Sequence, residues 1–156
     1  MITPWRLSEV PCTAQRRGSL TLSYDPEEHA RELGVDIVWG HPGVGILGRY
    51  DHDTRTIVLE PSMSSRQTRS VLAHELIHAE REDEHNAIDS FESTKRENYC
   101  DLKAAENLID RADLLTIAAM YPSDLPKVAY ELGVMPDLLT IYLRKHPLPR
   151  GDEDFS

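Results

Sequence analysis

From Asp25 onward the chain switches between two hydrophobic rhythms. "DPEEHARELG" keeps helical spacing, opens on Asp25 and Pro26, and closes on Gly34. Asp caps a helix start, Pro suits the first helical position and Gly ends a helix, so a short helix is predicted. "VDIVW" then reads as a strand. Gly40, Pro42, Gly43 and Gly45 punctuate a loop. "ILGRY" and "TIVLE" flank the polar "DHDTR", and Pro61 stops the second run. That pattern predicts a β-hairpin with a loop longer than the minimum.

From Ser64 or Ser65 to about Glu82 the period becomes helical. Val71, Leu72, Leu76 and Ala79 supply one face, His74 and His78 another. "EREDEHNAIDS" is charged and aperiodic, which predicts a loop. A second long helix is expected from about Ser93 to Asp110. Three shorter ones follow in "ADLLTIAAMY", "SDLPKVAYELG" and "PDLLTIYLRKH", with Ser123 and Pro136 marking two of the starts. Residues 1–20, with Pro4 and Pro11, read as irregular and docked by Trp5. Residues 123–146 form a C-terminal helical part, and 150–156 an acidic, disordered tail. No internal repeat is visible. The expected class is α+β, with a small antiparallel or mixed sheet, in one domain over 1–156.

Length and charge narrow the function. The 156 residues suit a single core, and 40 % hydrophobic with 28 % charged residues is an ordinary balance. A net charge of −10 matches nucleic acid poorly, since phosphate binding rests on Lys and Arg, so direct nucleic-acid binding is not expected. No apolar run approaches the roughly 18 residues of a membrane helix. The start lacks a basic segment followed by an apolar one, so a cytoplasmic protein without a membrane partner is expected. Cys12 and Cys100 read as free thiols. Glycine-rich phosphate loops, Cys-rich metal spacing and G-x-S-x-G are missing from the sequence.

The chemistry concentrates in His74-Glu75-Leu76-Ile77-His78. Residues four apart on a helix share a face, so both imidazoles reach one ion. Glu75, rotated by roughly 100°, cannot join that ion conveniently but can reach a water beside it. This is the logic of H-E-x-x-H, with two zinc ligands and a base. The bland alternative is a surface helix carrying two solvated histidines. A catalytic zinc takes three protein ligands and leaves a position open. The extended pattern H-E-x-x-H-x-x-G-x-x-H fails here, because Arg81 and Glu84 stand at its glycine and last histidine and His85 is out of register. The next long helix offers Glu97 and Asp101, again four apart. Glu97 is the expected third ligand and Asp101 the acceptor that orients a ligating histidine, with Asp101 as ligand the rival assignment.

"VLAHELIHAE", preceded by "GRYDHDTRTIVLEPSMSSRQTRS" and followed by "ENYCDLKAAENLI", resembles the ImmA/IrrE family of metallopeptidases, in particular short actinobacterial and phage members. The resemblance covers roughly residues 35 to 145. It implies a zincin-like, minigluzincin-type core with Zn2+ on His74, His78 and Glu97, and Glu75 as base. It also implies a target, a helix-turn-helix repressor whose cleavage relieves repression in a phage, mobile element or stress response. The later helix departs from the family in ending on "NLIDR" rather than a Leu-Leu-Met-Pro-like turn.

Other readings come from the residues themselves. Tyr50, His52, Tyr99 and Tyr121 are candidates to stabilise an oxyanion. "GILGRY" or "RTIVLE" is a candidate sheet edge for an extended peptide. A peptidase-like fold that grips a repressor without cutting it is the alternative function. "VAYELGVMPDLLTIYL", with Gly133 at its turn, has helix-turn-helix rhythm, but Asp137 lies early and the basic Arg144 and Lys145 come late, which argues against DNA. Cys100 follows Glu97 by one turn, close enough to touch the metal region; a buried small thiol is the commoner explanation.

Overall fold

The computed structural model describes residues 23–82 and 90–150 as an α+β arrangement, with six helices and a three-stranded mixed sheet among them. Helix α1, Pro26–Leu33, starts where the Asp25 carboxylate accepts the Glu27 N–H at 2.9 Å. It ends on Gly34, whose φ of 68° lies where a side chain is strained. The strands are β1 (Asp36–Trp39), β2 (Gly48–Asp51) and β3 (Thr56–Leu59), in spatial order β1-β3-β2. β1 runs parallel to β3 and β2 antiparallel to it, with Gly48 opposite Leu59 and Asp51 opposite Thr56. The hairpin expected from the sequence is present. Its second strand is central, however, which removes "RTIVLE" as an edge and, among the described residues, leaves "GILGRY".

Helix α2, Ser65–Glu80, carries the two histidines. Its start is a capping box. Ser64 Oγ accepts the Gln67 N–H at 3.2 Å and Gln67 Oε1 accepts the Ser64 N–H at 3.0 Å, satisfying two otherwise orphaned donors. Leu72, Leu76 and Ala79 pack with Ile37, Tyr50, Ile57 and Leu59 of the sheet. Ala73 belongs to a second cluster with residues of the later helices. A helix wedged between two apolar clusters buries two stripes instead of one, so little of α2 is left to water.

Helix α3 spans Ser90–Leu108, α4 Arg111–Met120, α5 Leu125–Leu132 and α6 Pro136–Lys145. α3 starts at Ser90, before the expected Ser93. Pro136 opens α6 as expected, but Ser123 does not cap α5. Its φ is 66°, and Asp124 takes the role by accepting the Lys127 N–H at 3.2 Å. Ala104, Ala105 and Leu108 of α3 pack with Val128 and Ala129 of α5 and Leu138, Leu139 and Tyr142 of α6. From α2, Arg69 donates to the carbonyls of Leu132 and Gly133. The segment with helix-turn-helix rhythm is thus built into the core beside the histidine helix. No helix among the described residues is long and apolar enough to cross a membrane. The segment 1–20 with Trp5 and Cys12, His85, and the tail beyond Arg150 lie outside the described residues.

Candidate metal centre

α2 and α3 pack so that one carboxylate meets both imidazoles. His74 Nε2 stands 3.0 Å from Glu97 Oε2, and His78 Nε2 stands 3.2 Å from Glu97 Oε1. The two Nε2 atoms are 3.2 Å apart. His74, His78 and Glu97 each offer a ligand atom within 4.8 Å of the others, a spacing that one ion can bridge. Two imidazoles and a carboxylate are a donor set suited to zinc or a similar divalent ion. His78 is only 1 % exposed, whereas the Glu97 side chain is 47 % exposed, so the cluster reaches solvent on the Glu97 side. Both His positions were read as one face of a helix; the burial of His78 was not, because α2 has a partner on either flank.

The outer nitrogens are engaged too. His74 Nδ1 lies 2.8 Å from Asp101 Oδ1, the contact by which a carboxylate takes an imidazole N–H and fixes the ring's orientation. Asp101 therefore sits on the far side of the ring from Glu97. Cys100 Sγ lies 3.6 Å from His78 Nδ1. Burial opposes a charge on His74, but hydrogen bonds to Asp101 and Glu97 outweigh it and push the imidazole above its ordinary value. For His78, burial is likewise outweighed, by the bonds to Cys100 and Glu97. The charge on Glu75 acts on both rings in the same upward direction. Hydrogen bonds from the two rings hold Glu97 far below the usual carboxylate range. A metal ion needs the bare imidazole nitrogens, so an ion at this cluster would compete with protons.

Glu75 faces the sheet. It is buried, and its Oε2 accepts the backbone N–H of Tyr50 at 2.9 Å. That N–H turns away from β3, so β2 offers its outer edge to the helix that carries the histidines. Gly48 makes the approach possible. A Cβ there would meet Val71 Cγ1 at 2.4 Å and both Glu75 Cγ and Leu59 Cδ2 at 3.2 Å. Neither contact was legible in the sequence; the only signal was a glycine inside a strand pattern, which often marks close backbone approach.

The oxyanion candidates are dispersed. The Tyr50 ring is fully buried with its hydroxyl 3.4 Å from His52 Nδ1. The Tyr99 ring faces the Arg81 guanidinium at 4.7 Å and the Lys103 ammonium at 5.8 Å. Tyr121 caps the end of α4 with Lys127 Nζ 5.3 Å from its ring. Compared with known proteins, the chain matches the IrrE N-terminal-like domain family, Peptidase_M78, over residues 30–143. No curated protein matches it.

Proposed function

This chain belongs to the IrrE N-terminal-like domain family of peptidases, Peptidase_M78, and on that premise we propose that it is a zinc-dependent endopeptidase of the H-E-x-x-H type. The observation that carries the proposal is the convergence of His74, His78 and Glu97 beside Glu75. His74, His78 and Glu97 would hold the ion, with Asp101 orienting His74. When bound, the ion supplies Lewis-acid activation of water and of the scissile carbonyl. Glu75 takes a proton from the attacking water and delivers it to the leaving amine. Burial and the Tyr50 N–H keep that carboxylate in one place, which orients it for proton transfer. An extended substrate is proposed to pair with the β2 edge at positions other than Tyr50, whose own N–H is taken by Glu75.

The proposed substrate is a helix-turn-helix repressor in the cytoplasm, cut to relieve repression in a phage, mobile element or stress response. That part rests on the family resemblance. The acidity of the chain adds a physical reason, because a net charge of −10 favours basic protein partners. The rival reading is a peptidase-like module that binds the repressor and leaves it intact.

One assay separates the two. The zinc-loaded protein is incubated with a candidate helix-turn-helix repressor, and the repressor's mass is followed. Cleavage by the wild type, with Glu75→Gln slower by about 10²–10⁴-fold at unchanged zinc content, is the expected result. Cleavage by the variant at the wild-type rate removes Glu75 as base. A bound but intact repressor supports the non-cleaving module.

A further inference from the structure

Resting on the metal centre proposed above, the geometry points to Cys100 as a positioning residue for His78: its Sγ accepts the Nδ1–H and holds the ring in the tautomer whose bare Nε2 faces the ion. Cys100 is a free thiol and is fully buried. Its Sγ lies 3.6 Å from His78 Nδ1, while Nε2 of the same ring faces Glu97 and His74. The two ring nitrogens thus face different partners, as a metal ligand requires. Cys100 follows Glu97 by three residues, about one helical turn. One face of α3 therefore supplies both the carboxylate on the ion side of the ring and the sulfur on its other side.

The arrangement is asymmetric. His74 donates its Nδ1–H to a carboxylate, Asp101, and His78 to a thiol. Sulfur is a weaker acceptor than a carboxylate, and the role assigned to it here is to fix the orientation and tautomer of the imidazole. Of the two imidazoles, His78 is the more deeply buried. Cys100 is also fully buried, and filling space is the role against which positioning must be tested.

Cys100→Ser keeps an acceptor in nearly the same place, and Cys100→Val keeps the apolar volume without one. Zinc affinity is measured for each by competition with a chromophoric chelator. Nδ1 of His78 and His74 is followed by nitrogen NMR in the zinc-free and zinc-loaded proteins. Cys100→Val is expected to weaken zinc binding on the order of 10-fold and to shift the His78 Nδ1 resonance while His74 stays put. Cys100→Ser is expected to remain within a few-fold of the wild type. If the valine variant does not fold, Cys100→Ala takes its place with the same expected loss. A valine or alanine variant with wild-type affinity and an unmoved His78 resonance overturns the assignment, as does a serine variant no tighter than the valine one. Zinc binding by the wild type judges the metal centre by itself. The His78 resonance in the zinc-free protein judges the sulfur contact even if that centre fails.

Discussion

Replacing Gly48 by Ala tests how closely the edge strand is fitted to the histidine helix. Gly48 is not among the glycines with positive φ, so its backbone accepts an ordinary residue. On conformational grounds alone, Gly→Ala at such a position stabilises by about 0.4–1 kcal/mol, because the unfolded chain loses freedom. The contacts argue the other way. A new Cβ would sit 2.4 Å from Val71 Cγ1 and 3.2 Å from Glu75 Cγ and Leu59 Cδ2. Val71 lies on a helix held on two flanks and cannot withdraw freely. Overpacking of this kind costs about 1–3 kcal/mol. The net expectation is a loss of roughly 1–2 kcal/mol, which for a chain of this size lowers the Tm by about 2–8 °C. Val71→Ala removes the clashing methyl. The double variant Gly48→Ala/Val71→Ala should therefore be less destabilised than the sum of the singles by about 1 kcal/mol or more. Urea unfolding of the four proteins measures both quantities. A Gly48→Ala protein as stable as the wild type, or strictly additive singles, would refute the claim that β2 and α2 meet at this distance. Displacing Glu75 Cγ also predicts that peptidase activity falls further than stability does.

Two further predictions concern the metal. Asp101→Ala should weaken zinc binding about 10–100-fold, while Glu97→Ala should remove it; equal losses in a chelator competition, or the reverse order, would make Asp101 the ligand. The pH dependence follows from the charges. His74 and His78 are raised above 6.5 in the zinc-free fold, so their stabilisation is complete below 6.5 and fades as pH rises through the raised values. Glu97 is lowered from 4.5, so its contribution holds above 4.5 and is lost as pH falls through the depressed value. The zinc-free cluster therefore stabilises most between 4.5 and 6.5. Zinc must displace the imidazole protons, so the rise in Tm that it causes should grow from about pH 6 to about pH 8. Thermal unfolding with and without zinc checks this, and a rise that shrinks with pH contradicts it.

Much of this was legible locally. The i, i+4 placement of His74 and His78 follows from helical periodicity, which needs no partner. Asp25, Gly34 and Pro136 mark helix ends because their covalent chemistry suits those backbone positions. The alternation before Pro61 is enough to predict the hairpin. These features depend on neighbours in the chain, and so the sequence determined them by itself.

What it could not determine depends on how distant elements pack. Glu97 and Asp101 stand on the same face of α3, and periodicity treats them alike. Only the docking of α3 on α2 placed Glu97 toward both Nε2 atoms and Asp101 behind His74. The burial of His78 required apolar clusters on both flanks of one helix. The bond from Tyr50 N–H to Glu75 required β2 to be the edge strand and Gly48 to lack a side chain. Each is a contact between residues far apart in the chain, set by how faces fit in three dimensions, and no local pattern encodes that fit.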